Sequence, residues 1–211
     1  MGFGNIFKIM TTLEFIMTRV PTGHNARPPF EIPGTRHKDF LEWIRDLGFT
    51  KGAEIGVESG IFSEEICKTN TQLTLNCIDP WKAYSGYIEH PTQVELDKLY
   101  TEAVTRLKSY KCNIIRSYSE DACKLFDEES LDFVYIDGNH EFLHVAQDIS
   151  NWSTKVKTGG IVAGHDFRRN SKKYINDVKD VVPAYAYAKR INPWFVLREP
   201  VEASTWFWVK T

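Results

Sequence analysis

Asp137, His140 and Asp166, with His165 beside the last, are the residues of this chain whose types could do chemistry together. Converging carboxylates hold a hard divalent cation such as Mg2+, which prefers oxygen ligands and keeps several waters. An imidazole, with an ordinary pKa of ~6.5, can take the proton of a hydroxyl that such an ion has made more acidic. The plainer alternative is that Asp137-Gly138 is a turn and His140 a helix cap.

A second group lies upstream, in Glu54-Ile55-Gly56-Val57-Glu58-Ser59-Gly60. Gly56 permits a sharp turn after a strand, and Gly60 lets a ligand approach the backbone where a helix starts. Glu58 stands where a pyrophosphate-binding turn carries its middle glycine, and a carboxylate there repels phosphate. A ligand with a cationic centre and no phosphate tolerates it. Asp79 follows at the end of the next strand, where an acid hydrogen-bonds a ribose diol in nucleoside-binding sheets. An Asp79-Pro80 turn explains it equally. Trp81, Tyr84 and Tyr87 are core cover or an aromatic wall for a flat ligand.

These residues form one site only if the fold gathers them. From His37 onward the pattern alternates helix and strand. Helices are expected over Phe40–Leu47, from Ser63 to Lys68, and over Thr92–Lys108, Glu141–Trp152 and Lys179–Arg190. Strands are expected over Gly52–Val57, Leu73–Ile78, Cys112–Arg116, Leu131–Ile136 and Gly160–Gly164, with Trp194–Arg198 and Thr205–Lys210 as a terminal antiparallel pair forming a hairpin-like edge. Apolar strands separated by helices predict an α/β fold, a doubly wound and mostly parallel seven-stranded sheet. Ligands of such sheets bind outside the carboxyl ends of the strands, where all the residues above fall. Residues 1–36 stand apart. An apolar segment from Ile6 to Met17 fits a short amphipathic helix, and the prolines after it a stiff connector. This arm packs on the main body or on a subunit partner, or it covers the site as a lid.

With the acidic GxxxG turn, Asp79, Ser119-Glu120 after the third strand, Asp137 after the fourth and Gly159-Gly160 opening the fifth, residues 37–211 resemble class I methyltransferases that use S-adenosylmethionine. Within that class they look most like metal-dependent small-molecule O-methyltransferases of the catechol and macrolide-sugar types. The resemblance implies that Glu54, Gly56, Glu58 and Gly60 form the cofactor turn, the glycines lining its methionine part. It places Asp79 on the ribose and Ser119 with Glu120 on the adenine. It also implies a Mg2+ or similar cation on Asp137 and Asp166, and His140 as the general base, histidine being the sugar-type residue where the catechol type has lysine. The catechol pattern continues with asparagine as third ligand, and this chain has Phe167; His165, Glu58 or water would take that place. The acceptor would be a small-molecule hydroxyl, first of all a sugar.

Other classes fit less well. Gly138-Asn139-His140-Glu141 matches a metallophosphoesterase motif, but the partner motifs DxH and GDxxD are missing. A nicotinamide-dependent oxidoreductase shares the fold but not the acidic turn. A non-catalytic methyltransferase-like binding module has no need of Asp137, His140 and Asp166. The basic run Arg168–Lys173 is a solvated face or the mouth of a pocket for an anionic acceptor. His144 and Asp148, one helical turn apart, read as a surface pair.

Composition sets the outer bounds. With 211 residues the chain makes one domain plus a small appendage. Its 26 basic and 28 acidic side chains leave a net charge of −2, which argues against nucleic acid or an anionic membrane as partner. The apolar start is too short and interrupted for a membrane span. Cys67, Cys77, Cys112 and Cys123 form no CxxC pair, so reduced thiols and a cytoplasmic location are expected. The arm offers a contact for a homo-oligomer.

Overall fold

The computed structural model describes residues 10–23, 27–84, 92–168, 176–200 and 203–211. Within the arm, α1 (Thr12–Met17) begins at a reciprocal capping pair of Thr11 and Glu14. The expected start of this helix, Ile6 to Ile9, lies outside the described residues, as do Tyr87 and residues 169–173 of the basic run. After β1 (Phe30–Pro33), a π-helical turn over Arg36–Phe40 leads into α2 (Leu41–Asp46). Then follow β2 (Lys51–Ile55), α3 (Ile61–Thr69), β3 (Thr74–Asp79), α4 (Gln93–Leu107) and β4 (Cys112–Arg116). The chain continues through α5 (Ser119–Ala122), β5 (Leu131–Ile136), α6 (Phe142–Ser153), β6 (Val156–Phe167), α7 (Val178–Ala188), β7 (Phe195–Arg198) and β8 (Ser204–Val209).

The strands form one sheet in the order β1-β7-β8-β6-β5-β2-β3-β4, parallel except for β8, which runs against both its neighbours. It has eight strands rather than the expected seven. The extra one, β1, comes from the arm and pairs in parallel with β7, Phe30 opposite Phe195. The terminal pair is therefore not the edge of the sheet: β1 covers β7. Prolines in and before β1 are tolerated because an edge strand has one unpaired side.

Side-chain alternation sorts the core into two layers. Phe133, Tyr135, Phe62, Ile66 and Phe207 pack on one face with Phe40 and Ile44 of the segment leading into and through α2. Val134, Ile136, Ile149, Val162 and Val182 pack on the other, beneath α6 and α7. Ile16 and Ile32 of the arm are buried in the first layer. These two apolar residues thus pack within the chain.

Two features of this sheet position the site. After β2 the chain runs outward to β3 and β4, then returns to lay β5 on the other side of β2. The carboxyl ends of β2 and β5 are the switch point, where connections diverge and leave a crevice. Second, β6 is longer than expected. It runs through His165 and Asp166, and its register against β8 shifts between Gly164 and Phe167. Such a bulge turns side chains out of their regular alternation. No helix among the described residues is long and apolar enough to cross a membrane.

Candidate active site

Strain marks the carboxyl edge. Glu58, Trp81 and Asp166, three of the five non-glycine residues with positive φ among those described, sit just beyond or at the ends of β2, β3 and β6. Such conformations are costly and gather where neighbouring structure enforces them. At β2 the enforcing group is Asp79. Its Oδ2 accepts the N–H groups of Val57 (3.0 Å) and Glu58 (3.1 Å), and its Oδ1 that of Trp81 (2.8 Å). The carboxylate thereby braces the turn after β2 and ties it to the loop after β3. Trp81 is core cover: it is fully buried, with Nε1 donating to the Glu58 carbonyl.

Gly56, at φ +89°, is required twice over. The conformation favours glycine, and a Cβ would lie 2.1 Å from the Asp137 carbonyl oxygen across the switch point. Gly60 has a further reason. It caps α3 with φ +78°, and its open side faces Ala103 of α4 at 3.3 Å, so its absent side chain lets the two helices pack.

Asp137, His140 and Asp166 converge, each offering a ligand atom within 4.8 Å of the others. His140 Nε2 is 3.1 Å from Asp166 Oδ2 and 3.5 Å from Asp137 Oδ1, yet this buried nitrogen makes no hydrogen bond. Two carboxylates and an orphaned imidazole nitrogen are a donor set for a divalent cation. The third place that sequence reasoning gave to His165, Glu58 or water is offered by His140. His165 stands close behind, its Nδ1 3.7 Å from Asp137 Oδ2, while Glu58 is exposed and outside the cluster.

The protonation states follow from burial set against charge. Burial alone opposes charge on Asp137, but His140, His165 and Arg36 outweigh it and hold the carboxyl below its ordinary range. Burial likewise opposes charge on His140, and the two carboxylates reverse this and raise its pKa. For His165 burial wins, with Arg36 adding to it, and the ring is held neutral.

Glu54 ends β2 beneath this cluster, almost fully buried, and accepts a hydrogen bond from Ser63 Oγ. Burial, with Asp137 adding, pushes its carboxyl up to about 8 against the pull of Ser63 and Arg36. A folded pKa raised from 4.5 stabilises the fold fully below pH 4.5, and the benefit is lost as pH rises to about 8. Glu54→Gln keeps the shape of the neutral acid without this dependence. Urea denaturation should show the variant gaining about 3–5 kcal/mol on wild type between pH 4.5 and 8.5; a pH-independent gap would contradict a buried neutral acid.

Ser119 opens α5 and donates from Oγ to Asp148, while Trp152 Nε1 donates to the same Oγ at 2.8 Å. Asp148 is therefore no surface acid: it is buried, and burial pushes its carboxyl up to about 6. Its Oδ2 faces Gly138, where a Cβ would find only ordinary contact at 3.7 Å, leaving a small cradle. Glu120 is exposed beside it. Asn139 Nδ2 donates to Tyr84 Oη at 2.6 Å, joining the loops after β3 and β5. A surface cleft lined by Tyr185, Lys189 and Trp208 lies toward the opposite end of the sheet and holds none of these residues.

Sequence reasoning missed two residues. Arg36, from the end of the arm, puts Nη1 2.9 Å from Asp137 Oδ2; a lone arginine in a proline-rich stretch carries no signal. Asp148 did carry one. Its position on the apolar stripe of α6, three residues from Val145, excludes the surface.

A doubly wound sheet with an acidic glycine turn at its switch point, and a carboxylate–imidazole cluster beside it, defines the class I methyltransferase architecture. The chain belongs to the methyltransferase-domain family, whose model matches residues 53–167. No curated protein matches it significantly in sequence. Among solved structures it is similar to a candidate caffeoyl-CoA O-methyltransferase of Staphylococcus aureus, at 14% identity over 94% of this chain and 90% of that one, TM-score 0.61. It is also similar to an O-methyltransferase of Bacillus cereus solved with SAH, at 14% identity over 98% and 94%, TM-score 0.59. A candidate rRNA methylase of Clostridium thermocellum matches at 11% identity over 84% and 98%, TM-score 0.60. At such identities the likeness is one of fold.

Proposed function

We propose that this protein transfers the methyl group of S-adenosylmethionine to a hydroxyl of a small-molecule acceptor, a sugar or related natural product, with the help of a divalent cation. The observation that carries this reading is the convergence of Asp137, His140 and Asp166 beside the glycine turn at the switch point. The family supports the methyl donor, as does the Bacillus cereus neighbour solved with SAH. The net charge of −2 supports a small acceptor over a polyanion.

Asp137 and Asp166 would hold the cation, which supplies charge that acidifies and orients a hydroxyl. The glycine turn braced by Asp79 would take the methionine part of the donor, with Asp79 beside the ribose and Ser119, Glu120 and the Gly138 cradle around the adenine. His140 takes the hydroxyl proton. With the donor bound, the acceptor oxygen would form its new bond to carbon as the carbon–sulfur bond breaks, leaving methyl ether, thioether and one proton on the imidazole. Much of the acceleration is alignment of oxygen, carbon and sulfur.

One observation favours a second role for His140. Its Nε2 converges with both carboxylates and is otherwise unpaired, which suits a third ligand. His140→Ala separates the two. A base leaves Mn2+ affinity intact while turnover is lost; a ligand loses about tenfold or more of both. For the whole reading the decisive measurement is calorimetry with S-adenosylmethionine: micromolar binding is expected, and no heat of binding would sink it. Methyl transfer that survives exhaustive chelation would remove the cation.

A further inference from the structure

Cys67, Cys77 and Cys112 take no part in the reaction above, yet the fold gathers them into one cluster. Cys67 lies in the last turn of α3, Cys77 within β3 and Cys112 at the start of β4. Leu75 pairs with Cys112 and Cys77 with Ile114, so Cys77 and Cys112 are diagonal neighbours on the sheet face that α3 covers. Cys67, 45 residues from Cys112 in the chain, reaches down from the helix and puts its Sγ 3.3 Å from Cys112 Sγ. Both are free thiols, and their sulfurs stand roughly an ångström beyond bonding distance.

The three differ in access. Cys67 and Cys77 are buried, whereas Cys112 is half-buried on β4, the strand that ends the sheet. A small oxidant therefore meets Cys112 first. Hydrogen bonds from the thiols of Cys67 and Cys77 outweigh burial and hold the Cys112 thiol below its ordinary range, which favours the reactive thiolate. Cys123 lies apart, in the other core layer, with its Sγ donating to the Glu120 carbonyl.

We propose that Cys67 and Cys112 are a peroxide-sensitive pair that closes to a disulfide and ties α3 to the edge strand β4. The Cys112 sulfur attacks the O–O bond of hydrogen peroxide, keeping one oxygen as sulfenic acid and releasing the other as water. The Cys67 sulfur then displaces the sulfenic oxygen as a second water. Two thiols thus give two electrons and two protons to one peroxide.

The test is peptide mapping of the native protein after hydrogen peroxide and alkylation. Two of the four thiols should be lost, in a single linked peptide pair that joins Cys67 to Cys112 and is released by dithiothreitol. The oxidised protein should melt about 5 °C higher than the reduced one, because the bond closes a long loop. With Cys67→Ser and Cys77→Ser combined, no partner thiol remains, and dimedone should trap the sulfenic acid on Cys112. In Cys112→Ser neither buried thiol should be labelled. A bond from Cys112 to Cys77 would overturn the assigned pair. A bond to Cys123 would show that oxidation follows unfolding, and would overturn the proposal, as would four free thiols after treatment. Dimedone on Cys67 of Cys112→Ser would overturn the order of attack, and an oxidised form that melts no higher than the reduced one would overturn the tie between α3 and β4.

Discussion

Asp166→Asn should lower methyl transfer by about a thousandfold and Mn2+ affinity by about a hundredfold, while the melting temperature moves by no more than a few degrees. The substitution is clean for a structural reason. Asp166 lies at φ +55° in the β6 bulge, and asparagine is, after glycine, the residue that best accepts this conformation. Its backbone carbonyl accepts from the Asn176 side chain at 3.2 Å, a bond that the change leaves in place. What is lost is the negative charge that faces His140 Nε2 at 3.1 Å and the half-exposed Arg168 Nε at 3.0 Å. The same change removes a carboxylate that raises the His140 pKa, so a base acting here should titrate lower in the variant. Turnover within tenfold of wild type would show that the cluster does not do the chemistry.

Gly56→Ala is the second large effect, and it acts on the fold and on the site together. An added methyl would sit 2.1 Å from the Asp137 carbonyl oxygen and 2.8 Å from Gly138 Cα, both backbone. No side chain can swing aside, so the strands must part at the switch point or the turn must leave φ +89°. We expect a loss of about 4 kcal/mol or more, or roughly 10 °C in melting temperature. S-adenosylmethionine binding should be lost even in conditions where the variant stays folded, because the displaced turn is the one proposed to take the methionine part of the donor. Near-normal stability measured by urea denaturation would contradict the close approach of β2 and β5. Gly60→Ala, facing Ala103 at 3.3 Å, is the milder control.

The contrast between these glycines shows what was legible beforehand. Both were visible as one motif, because a glycine pair behind an apolar strand is a local pattern. Only packing distinguishes them: Gly56 is pressed by a strand that enters the sheet 75 residues later, Gly60 by the helix α4. The ends of β2, β3 and β5 were placed to within a residue or two, since buried parallel strands read as continuous apolar runs. Asp79, Asp137 and Asp166 could thus be assigned to one edge. The bulge in β6 could not be read, because it arises from the mismatch with β8. Nor could β1, whose prolines read as connector until β7 lies beside them.

The sequence by itself determined the doubly wound sheet, the edge that gathers the candidate site and the family, since each is encoded in local periodicity and short motifs. Tertiary structure decided which groups face one another. It set Asp79 to bracing the turn, buried Asp148, turned His140 Nε2 toward two carboxylates and brought Arg36 from the arm to Asp137. The physical reason is the range of the forces. Backbone periodicity answers to residues a few positions apart, whereas a charge or a steric contact answers to whatever lies within a few ångströms, however distant in the chain.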